Sequence, residues 1–289
     1  MNHRATNSSP TIAEALLQAA ARFAPLHESA RLDAEVLLAQ VLGRERSYLF
    51  AWPERALSPE EAAGFEAQVR DREAGVPVAY LVGRQEFWSL SLKVTSDTLI
   101  PRPETERLVE LALERIPPER PWRVADLGTG SGALALAIAH ERPGSRVVAT
   151  DRSATALAVA EANAKALGIG NIHFRCGEWF APLAGERYEL IVSNPPYVAV
   201  GDPHLRAGDV RFEPPGALAA GADGLDAIRH LAAGAPEHLE ENGWLLLEHG
   251  YDQGAAVRAL LEAQGYTEVS TYRDDAGVDR VTVGSLRGA

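Results

Sequence analysis

From Trp122 to the end of the chain, runs with strand character alternate with runs of helical character, and this limits the architecture more than any other feature. Strands are expected over 122–127, 145–150, 171–176, 188–193, 243–248, 266–272 and 278–284. Helices fill 132–142, 153–167, 224–240 and 252–264. Such alternation implies a parallel sheet with helices on both faces. Only Asp274 to Gly277 separates the last two strands. A parallel connection needs a crossover of about a dozen residues, so these two must pair antiparallel. The expected fold class is therefore α/β, a Rossmann-like sheet ending in an antiparallel hairpin.

The first 75 residues have no strand pattern. Thr11 with Glu14 forms a capping box ahead of an apolar run. Ser29 is a candidate cap for a helix through Leu42, with Leu32, Val36, Leu37 and Val41 on its apolar face and Gly43 as its stop. Ser58-Pro59-Glu60-Glu61 is a helix start: a cap, Pro at the first position, and acids at the positive dipole end. These helices make a small bundle over 1–75. Trp88, Leu90, Leu92 and Val94 then alternate with polar residues, as one arm of a hairpin does. The expected domains are the bundle at 1–75, a hairpin linker at 76–98 and a catalytic domain at 99–289.

The segment Asp126-Leu127-Gly128-Thr129-Gly130-Ser131-Gly132 joins a strand to a helix. Glycines there permit a tight turn and let a ligand approach backbone amides at a helix start. Asp151 ends the next strand, where an acid can bond the ribose hydroxyls of a nucleoside. Gly128-x-Gly130-x-x-Ala133 also satisfies the dinucleotide pattern. Asp126 leans the other way: it would repel a pyrophosphate but suits a cationic amino-acid group, met directly or through water. S-adenosylmethionine therefore fits better than a nicotinamide cofactor. Trp179 is placed to pack on adenine, or else to fill the core.

The strand at 188–193 runs into Asn194-Pro195-Pro196-Tyr197. In an open parallel sheet, this strand end lies on the ligand-binding edge. The prolines stiffen the turn and remove two donors. The Asn194 side-chain oxygen and the Pro195 carbonyl can then accept the two N–H bonds of a planar NH2 group, with Tyr197 offering a flat face. A nitrogen held this way can direct its lone pair at a sulfonium methyl. The help is positional and electrostatic.

These motifs resemble the HemK/PrmC-type protein-(glutamine-N5) methyltransferases of peptide-chain release factors. The resemblance spans Gly75 to Leu81, Glu86-Phe87-Trp88, Ile100-Pro101-Arg102-Pro103-Glu104-Thr105-Glu106, the glycine loop, Asn194 to Tyr197, Glu213-Pro214 and Asp279-Arg280-Val281. It implies a small helical N-terminal domain, a hairpin linker and a seven-stranded methyltransferase domain; docking of release factor is a hypothesis for the N-terminal domain that the sequence itself does not show. It implies an enzyme that methylates the glutamine of the Gly-Gly-Gln loop in class I release factors, with S-adenosyl-L-homocysteine as the product; a cytoplasmic location is expected separately, from the single cysteine and the polar start. By the same resemblance, Gly128, Thr129, Gly130, Ser131, Gly132, Asp151, Trp179 and Asn194 contact the cofactor. Asn194, Pro195, Pro196 and Tyr197 hold the glutamine, and Arg102, Pro103 and Thr105 lie over the methionine end.

A nucleic-acid amino-methyltransferase acting on adenine N6 or guanine N2 would use the same tetrapeptide. Against it stands a net charge of −12, with Lys93 and Lys165 the only lysines; proteins that coat duplexes present broad basic surfaces. No direct nucleic-acid substrate is expected. A nicotinamide-dependent oxidoreductase is disfavoured by Asp126 and by the terminal hairpin. No histidines pair at metal-ligand spacing, so no metal is expected. The longest apolar run, Gly132 to Ala139, is far short of the roughly 20 residues that span a bilayer. His249 reads as structural, Cys176 as a small apolar filler, and Val198 to Ala222 as an irregular loop covering the substrate.

Overall fold

The computed structural model describes residues 9–25 and 29–287, so Met1–Ser8 of the polar start lie outside the described residues. The contacts divide the chain into two units, Met1–Gly83 and Arg84–Ala289. The boundary falls inside the 76–98 stretch.

The first unit is helical: α1 (Ile12–Phe23), α2 (Ala30–Leu42), α3 (Arg46–Ala51), α4 (Pro59–Glu73) and α5 (Val78–Val82). Thr11 and Ser58 both close capping boxes, with Glu14 and Glu61. Ile12, Leu16, Phe23, Leu37, Leu38, Leu49, Phe65 and Val69 form the core. The apolar face of α2 differs from the expected one. Of the four expected residues Leu37 is fully buried and Leu32 is exposed, while Ala34 and Leu38, not expected there, are buried. The cause is electrostatic. Asp33 turns inward to a buried ion pair with Arg72 at 2.8 Å, and the inward face rotates with it. Ser29 makes no capping bond to the backbone; its hydroxyl donates to Asp33 at 2.7 Å.

The second unit opens on a hairpin, β1 (Arg84–Phe87) and β2 (Leu90–Lys93). Trp88, expected in the alternating run, is in the turn. Trp88 and Ser89 both have positive φ, 52° and 58°, as a two-residue type I′ turn requires. Neither residue favours that conformation, and Glu106 compensates by accepting the Trp88 amide at 2.8 Å. The Trp88 indole donates to Glu141 at 2.8 Å. Phe87, Leu90 and Leu92 belong to the core of this unit.

The main sheet has seven strands in the order β5-β4-β3-β6-β7-β9-β8. They are β3 (Arg123–Leu127), β4 (Arg146–Asp151), β5 (Ile172–Cys176), β6 (Tyr188–Ser193), β7 (Leu239–Glu248), β8 (Tyr266–Arg273) and β9 (Asp279–Leu286). β3 to β7 are parallel, and β9 runs antiparallel to both β7 and β8. The helices are α6 (Glu106–Arg115), α7 (Ala133–Glu141), α8 (Ala154–Leu167), α9 (Asp226–Gly234) and α10 (Gly254–Ala263). α9 is shorter than expected because Pro236 cannot continue it; a 3-10 turn, Ala235–Glu237, follows. α6 and α7 pack with the hairpin against one sheet face, and α9 and α10 pack against the other. Among the described residues, no helix is long and apolar enough to cross a membrane.

The strand order reverses between β3 and β6, and in α/β sheets ligands bind outside the carboxyl ends of strands at such a switch. The glycine loop follows β3, and Asn194 follows β6. Ser193 ties the two strand ends together by donating to the Leu127 carbonyl at 2.6 Å. Asn163 on α8 plays a similar part nearby. Its amide oxygen accepts from Lys93 N–H at 2.7 Å, and its NH2 donates to the carbonyls of Lys93 and Ser131 at 3.0 and 2.9 Å. One buried side chain thus joins the hairpin, α8 and the glycine loop. Asn163→Ala leaves these backbone groups unsatisfied. The expected cost is about 2–3 kcal/mol, seen as a fall in Tm of roughly 4–12 °C by differential scanning calorimetry.

Candidate active site

The glycine loop is held by β4. Gly128 and Thr129 both donate to the Thr150 carbonyl at 2.9 Å. Gly130 donates to Asp151 Oδ2 at 2.9 Å, and Asp151 Oδ1 accepts from Ser153 N–H at 2.8 Å. Asp151 is thus oriented by the loop before any ligand reaches it. The glycines at 130 and 132 serve different ends. Both have positive φ, 57° and 87°. A Cβ on Gly132 would meet Leu136 at 3.0 Å and Ala160 at 3.1 Å, so this glycine lets α7 and α8 approach. A Cβ on Gly130 would meet nothing within 4 Å, so there the open backbone faces free space.

Asp126 lies under the loop with no solvent exposure. Its Oδ2 accepts from the Thr129 hydroxyl at 2.6 Å and from Ala135 N–H at 3.2 Å. Its Oδ1 is buried without a hydrogen-bond partner among the described residues. Burial lifts this carboxyl to about 7, with the Asp151 charge adding to the effect and the two hydrogen bonds opposing it.

A cavity of about 1480 Å³ opens at the carboxyl edge of the sheet. Of the residues singled out in the sequence, Gly128, Gly130, Asp151, Trp179, Asn194 and Pro196 line it. Trp179, at a positive φ of 48°, lays its ring over Gly128, 3.4 Å from where a Cβ would sit. Thr129, Ser131 and Gly132 support the loop without lining the cavity. Neither Arg102 nor Pro103 lines it. Arg102 pairs with Glu213, whose carboxylate also accepts from Ile100 N–H at 3.0 Å, so the 198–222 loop is anchored to the segment before α6. Pro103 is exposed and opens a 3-10 turn, Pro103–Thr105.

Asn194 donates from Nδ2 to Thr105 Oγ1 at 3.1 Å. Its Oδ1 is therefore the end left to accept from a substrate. The Tyr197 hydroxyl donates to Glu248 Oε1 at 3.2 Å. Burial pushes the Tyr197 phenol well above its ordinary range, and the Glu248 charge adds to it. Glu248 is buried, and burial lifts its carboxyl to about 7.

Sequence reasoning missed Glu248, whose signal was its place at the end of β7 after the apolar run Leu245 to Leu247. It also missed the cavity wall at Ser96 to Leu99 and His230 on α9. Cys176 is exposed rather than an apolar filler, because β5 is an edge strand. His249 is buried between the Gly250 carbonyl and the Thr282 hydroxyl, each at 2.8 Å. The 198–222 loop contains three short 3-10 turns and a parallel bridge from Val198 to Ala219. Among the described residues, no group of three or more His, Cys, Asp or Glu side chains is placed to hold a metal ion.

Residues 14–83 match the PrmC N-terminal domain, and residues 106–209 match the methyltransferase small domain. The release factor glutamine methyltransferase of Xylella fastidiosa (strain Temecula1) is 57% identical over 89% of this chain and 94% of its own length. The Escherichia coli K12 enzyme of that name is 49% identical over 89% of this chain and 92% of its own. The chain belongs to the release factor glutamine methyltransferase family. Among solved structures, a Pyrococcus furiosus methyltransferase aligns with a TM-score of 0.53 at 15% identity, over 77% of this chain and 98% of that one. The hMettl16 catalytic domain in complex with an RNA hairpin aligns at 0.57 and 18% identity, over 75% and 83%. The fold is that of S-adenosylmethionine-dependent methyltransferases.

The two glycines should respond differently to substitution. Gly130→Ala carries only the left-handed backbone penalty of about 1–2 kcal/mol. Gly132→Ala adds contacts with Leu136 and Ala160, and chemical denaturation should find it the less stable of the two.

Proposed function

We propose that this chain transfers a methyl group from S-adenosylmethionine to the side-chain nitrogen of the glutamine in the Gly-Gly-Gln loop of class I release factors. The observation that carries the reading is the polarity of Asn194: one Nδ2 proton goes to Thr105, and Oδ1 is the acceptor the side chain offers at the cavity. A glutamine carboxamide offers the planar NH2 that such an acceptor requires. Membership of the family supports the same substrate.

The residues present fit the cofactor. Asp126 holds an unpartnered buried oxygen suited to a cationic amino group. Gly130 leaves room for close approach to backbone. Asp151 suits ribose hydroxyls, and Trp179 offers an aromatic wall. When bound, S-adenosylmethionine supplies an electrophilic methyl on a sulfonium and leaves as S-adenosylhomocysteine.

Asn194 Oδ1 and the Pro195 carbonyl hold the two N–H bonds of the glutamine amide. That grip keeps the NH2 planar until attack and aims its lone pair along the transfer line. As the nitrogen forms its bond to carbon, its N–H bonds become more acidic and both acceptors hold them more tightly. The hydrogen bonds therefore strengthen toward the transition state, where they aid catalysis. One proton then passes to water. The chain's residues supply position and electrostatics. A strong base before attack is not required.

Docking of release factor on the N-terminal unit is part of this proposal. Leu17, Phe50 and Trp52 there are exposed apolar side chains, at 69%, 59% and 59%. A cytoplasmic location follows from such a substrate.

The test is transfer of methyl label to purified release factor, to its loop Gln→Ala variant, and to bulk DNA and RNA. Label on the wild-type factor alone is expected, and label on nucleic acid would move the assignment to a base methyltransferase. Asn194→Ala should lower kcat by roughly 100- to 1000-fold, the usual loss when one such electrostatic partner is removed.

A further inference from the structure

The sheet face that carries α9 and α10 is not covered evenly. α10 packs on β8 and β9, and α9 packs on α10. Over β3, β4 and β5 the same face holds a second cavity, of about 380 Å³, which shares no lining residue with the one at the carboxyl edge. Strand alternation decides what lines it. Ala125 and Val148 belong to the core of this face. Arg123 and Arg146 stand two residues before them, His173 is the register partner of Val148, and Arg175 follows two residues on. All four basic side chains therefore project from the same face, and all four line the cavity together with Glu186.

Three guanidiniums thus meet one carboxylate, in a chain whose net charge is −12. Glu186 Oε1 accepts from Arg175 Nη1 at 2.6 Å. Its Oε2 accepts from Arg123 Nη2 at 2.6 Å and from the Tyr188 hydroxyl at 3.1 Å. These bonds, the one from Arg175 above all, hold the carboxyl below its ordinary range against the effect of burial. They also fix both guanidiniums. Arg175 Nη1 donates further to the Pro182 carbonyl at 3.0 Å, and Arg123 lies 4.9 Å from the centre of the Tyr188 ring. Both side chains remain partly exposed, so their other N–H groups face the solvent. Glu189 accepts from the Arg123 backbone N–H at 2.8 Å and does not line the cavity. Arg146 is exposed, and its side chain has no hydrogen bond or ion pair among the described residues. Two positive charges are left without a partner in one concave site.

The shape of this site selects among anions. A guanidinium presents a planar fork that matches carboxylate and phosphate oxygens. A single carboxylate has two oxygens in one plane, as Glu186 has, and Glu186 already joins two of the forks. Three forks rising from three adjacent strands suit a group with oxygens in several directions and more than one charge. A volume of about 380 Å³ is that of a small-molecule site, whereas a nucleic-acid backbone is met by an extended basic surface. We propose that this cavity is a binding site for a small phosphate-bearing anion. Arg123 and Arg175, set in place by Glu186, form its fixed wall, and Arg146 closes on the anion from the open side.

The test titrates the full chain with pyrophosphate by isothermal calorimetry, in a buffer free of phosphate and at low salt. One site per chain is expected. Arg146→Ala should weaken binding at least tenfold, and Arg146→Glu should abolish it. Neither touches a structural partner, so Tm should stay at the wild-type value. Arg175→Lys keeps the charge but loses the fork and should weaken binding severalfold. Arg287→Ala, at an exposed arginine outside the cavity, should change nothing. Saturation with S-adenosylhomocysteine should leave the pyrophosphate affinity within about threefold. Inorganic phosphate and glycerol phosphate are titrated in parallel, and the tighter of the two shows whether the cavity takes a free or an esterified phosphate. Absence of binding by all three, pyrophosphate binding that survives Arg146→Glu, or its displacement by S-adenosylhomocysteine would overturn the proposal. So would single-stranded RNA that binds the same arginines more tightly than pyrophosphate, which would make the face a nucleic-acid surface.

Discussion

The hydrogen bond from Ser193 to the Leu127 carbonyl, at 2.6 Å, holds together the two strand ends from which everything functional departs. One strand continues into the glycine loop and the other into Asn194. The backbone at the switch point has no ladder partner beyond Asp126–Val192, so the side chain of Ser193 supplies the next tie. With the strand ends fixed, the remaining parts have little freedom. Asp151 comes in from β4, Glu248 from β7, and Thr105 from the segment before α6. Each contributes one polar atom to a common edge.

Much of this was legible in the sequence because it rests on local rules. Strand–helix alternation, the short connection at Asp274–Gly277 and the capping boxes at Thr11 and Ser58 depend on residues near one another, and the sheet and helices follow them closely. What was not legible depends on distant partners. Trp88 reads as a strand residue until Glu106 and Glu141 are seen to hold it in a turn. Leu32 reads as core until the Asp33–Arg72 pair is seen to rotate its helix. Glu248 looks like the polar end of an apolar strand, and only the fold brings it under Tyr197 and close to Thr105. Of the residues that line the cavity, Gly128, Gly130, Asp151 and Asn194 were visible by motif, and Trp179 through the family resemblance. The pairing of Arg102 with Glu213 joins positions 111 apart and leaves no spacing to read.

The site also carries a thermodynamic cost. Asp126 and Glu248 are both fully buried, and burial lifts both to about 7 from ordinary values of 3.8 and 4.5. A carboxyl whose folded value is raised contributes its stability below its unfolded value and loses it as pH rises through the folded value. Each group therefore destabilises the native state progressively between about pH 4 and pH 7. The fold carries two such groups near the carboxyl ends of β3 and β7, where a packed apolar side chain would be more stable. Sites that require charge at a fixed place commonly bear this conflict.

Asn163 links segments that are far apart along the chain. Its bonds close loops of 70 and 32 residues, to Lys93 and to Ser131. Contacts of such long sequence separation carry a loop-closure cost that local contacts do not. The glycine loop is therefore fully braced only once hairpin and α8 have met. During synthesis, a nascent chain that has made the loop and its acid still lacks a finished cofactor cradle until α8 has left the ribosome.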